Sequence, residues 1–276
     1  MPTPIAVDHL VAGVLEDVAA REAQVSFQEV KARSRDMEPP RDAFAALMRN
    51  GCSVVTELKR AVPYAGEITQ LSSPDSVAQL AQSLEAAGVH MMACQTDRRR
   101  FHGSLEDMRA ARAAIEIPMM SRDIIVDPYQ IHEARCYGAD AIPLQVELLE
   151  QVRLEALLDR IESLGMTAIL EVRNCAEVDR VIKAGGSVVA VNAWSLTSDA
   201  IDRFAFSEIV PGLPESMLRI AIGGVNVPRN VLSYASHGAD AVLVGEAVMT
   251  AKDPVALARS LVAAGQHPAC PSRKRS

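Results

Sequence analysis

From residue 53 onward the chain repeats one pattern. Short runs of β-branched and other apolar residues alternate with Ala/Leu/Glu-rich stretches in which apolar positions return every three or four residues. Alternation of this kind predicts strands separated by helices. The apolar runs place eight strands at 53–58, 89–94, 117–120, 140–145, 167–172, 187–192, 218–222 and 241–244. Five of the intervening helical stretches end in a glycine just before the next strand, as in "EAAGVH", "CYGADAI" and "ESLGMTAI". Glycine there is the usual left-handed terminator that returns the chain to the sheet. "YGADAIPLQ" and "HGADAVLVG", 100 residues apart, are near copies and point to one repeated βα unit. Ahead of the strands, Leu10, Val11, Val14, Leu15 and Val18 recur at helical spacing and predict one or two amphipathic helices over 8–35. "MEPPRD" breaks that pattern, and a further helix is expected over about 41–50.

Eight βα units in about 215 residues fit an α/β fold of the closed (β/α)8 TIM-barrel kind. The competing doubly wound sheet carries a G-x-G-x-x-G turn after its first strand; the turn here reads "ELKRAVPYAG". The expected organisation is an N-terminal helical extension packing on the barrel (1–50), the barrel itself (51–265) and a flexible tail (266–276).

Composition narrows the function classes. Apolar residues make up 49% of the chain and aromatics only 4%, a mix suited to helices packed on buried parallel strands. The net charge of -7 argues against nucleic acid as a partner. No apolar run reaches the roughly 20 residues that span a bilayer, so no membrane association is expected. The first residues, "MPTPIAVDHL", lack the pattern of a signal peptide, which makes the expected location cytoplasmic. The five cysteines are scattered without C-x-x-C spacing, so neither a metal site nor a disulfide framework is expected, and none is assigned to catalysis. Arg98-Arg99-Arg100 is a basic run that reads as a solvated loop or a phosphate contact.

In such barrels the chemistry sits at the C-terminal ends of the strands. The first strand delivers Glu57 and Lys59, two apart and therefore on one side. The third offers Arg122 and Asp123, the fifth Glu171, the sixth Asn192 and Trp194, the seventh Gly223 and Gly224, the eighth Gly245 and Glu246. Glycine-rich loops after strands seven and eight commonly cradle phosphate, so a small phosphorylated substrate is expected, with Phe101 and Trp194 as further pocket residues. Glu57, Lys59 and Glu171 are candidates for proton transfer if they converge across the mouth, and surface ion pairs if they do not. Asn192 reads as a polar orienter or a turn former. His102 reads as a surface loop residue, and Asp123 as a partner of Arg122 or a loop support.

Taken together, "ELKRAVPYAG", "HGSLEDM", "SRDIIVDPYQIHEARCYGADAI" and "HGADAVLVGEAVM" resemble the indole-3-glycerol phosphate synthase family, over about residues 8–264. The resemblance implies ring closure of 1-(2-carboxyphenylamino)-1-deoxyribulose 5-phosphate with loss of carbon dioxide and water, without metal or organic cofactor. It matches Glu57 and Lys59 to the family's strand-1 catalytic pair, Glu171 to its proton-transfer glutamate, Asn192 to its asparagine near the substrate, and Gly224 and Gly245 to phosphate-loop glycines. Departures gather at the strand ends. Arg122 stands where the family has an acid lysine, Trp194 where it has an arginine, Ile222 and Gly223 where it has glutamate and serine, and Val62-Pro63-Tyr64 replaces an S-P-S turn. Arginine keeps the charge but does not give up its proton at ordinary pH. Three expectations follow: a lyase of this kind with a remodelled pocket acting on a related phosphorylated amino-deoxy-sugar derivative; the ordinary synthase with Lys59 covering the missing acid; or a barrel that binds a phosphorylated metabolite or a partner without catalysis.

Overall fold

Strand pairing closes on itself. In a computed structural model describing residues 7–62, 66–69, 71–194, 202 and 204–272, eight parallel strands form a barrel: β1 (Ser53–Leu58), β2 (Met91–Gln95), β3 (Met119–Arg122), β4 (Ala141–Gln145), β5 (Thr167–Val172), β6 (Val188–Asn192), β7 (Leu218–Ile222) and β8 (Ala241–Val244). Each strand pairs with its sequence neighbours, and β1 closes the ring on β8 with Ser53 opposite Ala241. The expected (β/α)8 architecture is therefore the observed one. Two strands are displaced from the sequence reading, and β4 and β6 each start one residue later. β2 starts at Met91, where its ladder with Val55 begins. β3 runs on to Arg122, because its ladder with β2 continues through the Gln95–Arg122 pair even though the apolar pattern has ended. A small hairpin, Ala61–Val62 with Gly66–Glu67, follows β1; Pro63 and Tyr64 between its strands lie outside the described residues.

Alternation along the strands sorts the apolar residues into two bodies. One fills the barrel interior with Val55, Met91, Ala93, Met120, Ile169, Ala190, Ile220 and Leu243. The other fills the layer between strands and helices. The short helix Ala43–Leu47 belongs to the first body: Ala43 and Leu47 are fully buried there and stop the N-terminal floor of the barrel.

The N-terminal extension forms two helices, Val7–Glu22 and Phe27–Arg35. Polar contacts hold both to the barrel. Ser34 Oγ lies 2.7 Å from His132 Nδ1, and the Tyr129 hydroxyl donates to the Val25 carbonyl at 3.1 Å. Arg21 pairs with Glu133 at 3.0 Å. Burial pushes the Glu133 carboxyl up to about 7, against the pull of Arg21. The arginine run is not a solvated loop. Arg98–Phe101 is a helical turn capped by Asp97; Arg99 pairs with Asp17 at 2.8 Å, and Arg100 pairs with Asp97 at 2.7 Å and Asp17 at 3.3 Å. Arg98, beside Glu106, and Arg99 stay mostly exposed, while Arg100 is largely covered. Residues 266–272 are exposed apart from Cys270, which is buried, and Ser272 Oγ accepts from the Gly51 N–H at 2.9 Å.

Candidate active site

The last inward-facing residue of seven strands, and the glycine that follows the eighth, line one cavity of about 400 Å³ at the C-terminal mouth. In strand order these residues are Glu57, Gln95, Arg122, Gln145, Glu171, Asn192, Ile222 and Gly245. The strand-end candidates thus converge, and the alternative of separate surface ion pairs falls away.

Four of the eight strands join in one polar chain. Lys59 Nζ stands 2.9 Å from Glu57 Oε2. The other oxygen of Glu57 is 3.6 Å from Arg122 Nε. The Arg122 guanidinium donates through Nη1 to Glu171 Oε1. Asn192 Nδ2 donates to Glu171 Oε2 at 3.2 Å, and Asn192 Oδ1 accepts from the Trp194 backbone N–H at 3.0 Å. Both carboxylates are nearly sealed from solvent, Glu57 at 3% exposure and Glu171 at 4%. Burial disfavours the Arg122 charge, but the flanking Glu171 and Glu57 outweigh it and hold the guanidinium above its ordinary range. Arg122 is therefore a bridge between two buried carboxylates.

Lys59 has a second contact, with its ammonium 5.8 Å from the centroid of the Phe101 ring. Phe101 is buried and lines the cavity, as expected. It sits on the helical turn whose arginines grip Asp17, so the extension and the cavity wall share one element. His102 is half exposed and 3.6 Å from Glu67, in keeping with a surface role. Asp123 does not pair with Arg122. Its carboxylate accepts from Thr96 Oγ1 at 3.0 Å and from the Ile124 N–H at 2.7 Å. Burial, with the nearby Asp97, pushes its carboxyl up to about 6.

The glycines stand where the strand count placed them. Gly223 and Gly224 follow β7 with φ of 94° and 72°, a backbone path that side-chain-bearing residues rarely take. It leaves that loop lined by backbone at the cavity edge. Gly245 serves a second purpose that strand position did not reveal. A Cβ there would stand 2.5 Å from Glu57 Oε2, so the missing side chain gives Glu57 its room. Glu246 is exposed at the rim and Trp194 half-buried; both line the cavity. Among the described residues no cluster of His, Cys, Asp or Glu is placed to hold a metal ion, and no helix is long and apolar enough to cross a membrane.

Among the lining residues that the sequence reading did not name are two inward-facing strand ends, Gln95 and Gln145. They carry no charge, and neither matches a site residue in the family resemblance, as Asn192 does. The signal was present in parity: each is an even number of residues along its strand from an inward apolar position, Gln95 from Ala93 and Gln145 from Ala141.

A sequence profile of indole-3-glycerol phosphate synthase matches residues 7–261. The chain belongs to the indole-3-glycerol phosphate synthase family. Family membership makes it one of a group of decarboxylating, ring-closing lyases. A protein of Mycobacterium sp. (strain KMS) named indole-3-glycerol phosphate synthase is 48% identical over 275 residues, covering all of both chains. One of the same name from Saccharopolyspora erythraea is 47% identical over 268 residues, 97% of this chain and 98% of that one. Among solved structures, the N-acetylmannosamine-6-phosphate 2-epimerase of Clostridium perfringens superposes with a TM-score of 0.59 at 15% identity, over 76% of this chain and 93% of that one. At that identity the likeness is one of fold alone.

Proposed function

We propose that this family member catalyses a decarboxylating ring closure on a phosphorylated arylamino-deoxy-sugar, in a pocket whose proton donor has moved from strand β3 to Lys59. The observation that carries this reading is the convergence of Lys59, Glu57, Arg122, Glu171 and Asn192, linked by ion pairs and hydrogen bonds, across the barrel mouth. A lysine where the family has one on β3 would give up a proton; the guanidinium of Arg122 does not. Lys59 is the one lysine among the described residues of the cavity lining. Held by Glu57, it faces the cavity and donates to oxygen as charge develops there. Glu171 takes a proton from the substrate carbon or nitrogen, with Asn192 and Arg122 fixing both its oxygens. Gly223, Gly224 and Gly245 offer backbone N–H groups to phosphate, and Phe101, Trp194 and Ile222 supply apolar walls.

A second reading is the ordinary family reaction in tryptophan synthesis. Relatives 47–48% identical over nearly their whole length carry the synthase name, which favours it. The loss of charge at Trp194 and Ile222 favours an altered substrate. One experiment separates them: mix the purified protein with 1-(2-carboxyphenylamino)-1-deoxyribulose 5-phosphate and follow indole fluorescence together with binding. Turnover at rates usual for enzymes supports the ordinary reaction. Binding with little or no indole product supports the altered substrate. Neither binding nor product sinks both.

A further inference from the structure

Gln145 ends β4 on the inner face of the barrel and is 5% exposed. Its Nε2 donates to the Asp123 backbone carbonyl at 3.2 Å. That bond fixes the amide's orientation, because a flip would set the amide oxygen against a carbonyl oxygen. The oxygen that remains, Gln145 Oε1, is buried and has no hydrogen-bond partner in the protein. An orphaned acceptor is destabilising, and native proteins retain few of them. This one belongs to a cavity-lining side chain and is paired in register with Glu171, the proposed base.

The barrel's closure says which part of a ligand meets it. Strand order around the ring places β3 and β4 across the mouth from β7 and β8. A substrate whose phosphate sits on the β7–β8 glycines therefore extends its other end toward Gln145. A carboxylate there would set like against like, acceptor against acceptor. A hydroxyl or amino group supplies the missing proton. We propose that Gln145 is a specificity-determining residue that accepts a hydrogen bond from a hydroxyl or amino substituent on the ring of the substrate, at the end distal to the phosphate. The proposal rests on the reading of the cavity as an arylamino-sugar phosphate site.

The test compares ligands and variants together. Affinities are measured by calorimetry for 1-(2-carboxyphenylamino)-1-deoxyribulose 5-phosphate and for its counterparts bearing a hydroxyl at each free ring position. The proteins are the wild type, Gln145→Leu and Gln145→Met. One added hydrogen bond to a buried acceptor corresponds to about a 10-fold gain. The expected result is that one hydroxylated ligand binds the wild type about 10-fold more tightly than the parent, and that both variants lose this gain while binding the parent as before. If Gln145 served only to tie β4 to the β3 loop, the variants would melt at a lower temperature or weaken all ligands alike, with the ratio between ligands unchanged. An unchanged ratio, or no gain in the wild type while the parent binds, overturns the assignment and leaves the functional reading standing. Failure of every phosphorylated ligand to bind overturns both.

Discussion

Arg122→Ala tests the central claim about the mouth, that its charges are mutually dependent. At 3.6 Å, an ion pair with an effective dielectric of about 20 is worth about 4–5 kcal/mol. Arg122 makes one such pair with Glu57 and a closer, hydrogen-bonded one with Glu171. Much of that attraction is offset by taking the guanidinium out of water. Once it is removed, however, the carboxylates stay buried. Glu57 keeps Lys59 at 2.9 Å, whereas Glu171 is left with the neutral amide of Asn192. Breaking a buried pair in this way costs about 3–5 kcal/mol. For a barrel of this size, that corresponds to a fall of about 10 °C in melting temperature. Urea unfolding at pH 7.5 measures the loss directly. In a Glu171→Gln background the same Arg122→Ala change should cost about 1 kcal/mol or less, because no buried charge is stranded. Equal losses in the two backgrounds, or a loss under about 1 kcal/mol in the wild type, would refute the bridging role of Arg122.

The remaining predictions concern chemistry and pH. Arg122→Lys restores a group able to give up a proton on β3 and should raise indole formation from the carboxyphenylamino substrate by about 10-fold or more, read as kcat from fluorescence; no change would mean that Lys59 already suffices. Gly245→Ala places a methyl group against the Glu57 carboxylate and should lower kcat by about 100-fold while the fold survives by circular dichroism; near-normal kcat would show that Glu57 has slack. Asp123 is pushed up to about 6 from 3.8, so its protonated form is the one favoured by folding. Its contribution is present below about pH 4 and is lost as pH rises through 6. Asp123→Asn should therefore gain stability relative to wild type between pH 4.5 and pH 7.5, by about 1–2 kcal/mol after allowance for partial exposure, and a difference in melting temperature that is flat with pH would contradict it.

The barrel was legible because its signals are local. Glycine ends a helix, a β-branched run follows, and the unit repeats. Glu57, Lys59, Glu171 and Asn192 were legible because charges and amides at the ends of apolar strands stand out. What escaped depends on distance along the chain. The Arg98–Arg100 run looked solvated because Asp17, its main partner, lies about 80 residues earlier, in a helix whose docking no local pattern encodes. Arg122 stood out as a charge, but nothing in "SRD" announces that carboxylates from β1 and β5 will flank it. Gln145 escaped because, unlike Asn192, it has no counterpart in the family resemblance, and its inward parity shows only once the neighbouring strands are paired. Gly245 was noticed for the right loop with half the reason, because its approach to Glu57 crosses the β1–β8 seam where the barrel closes.

The pairing of Lys59 and Arg122 with Glu57 and Glu171 sets two cations against two carboxylates, so the centre of the mouth carries no net formal charge. Glu246 at the rim and the chain's overall charge of -7 add negative potential outside it. A phosphorylated substrate is thus not drawn in from a distance. For the proposed substrate the expected association rate is in the unsteered range of about 10⁵–10⁶ M⁻¹s⁻¹, well below the 10⁸–10⁹ M⁻¹s⁻¹ of electrostatically guided encounters. Added salt, which screens repulsion here, should speed capture slightly where it would slow a steered partner. In the proposed function, holding falls to the short reach of the backbone donors after β7 and β8, which would act only once the phosphate has arrived.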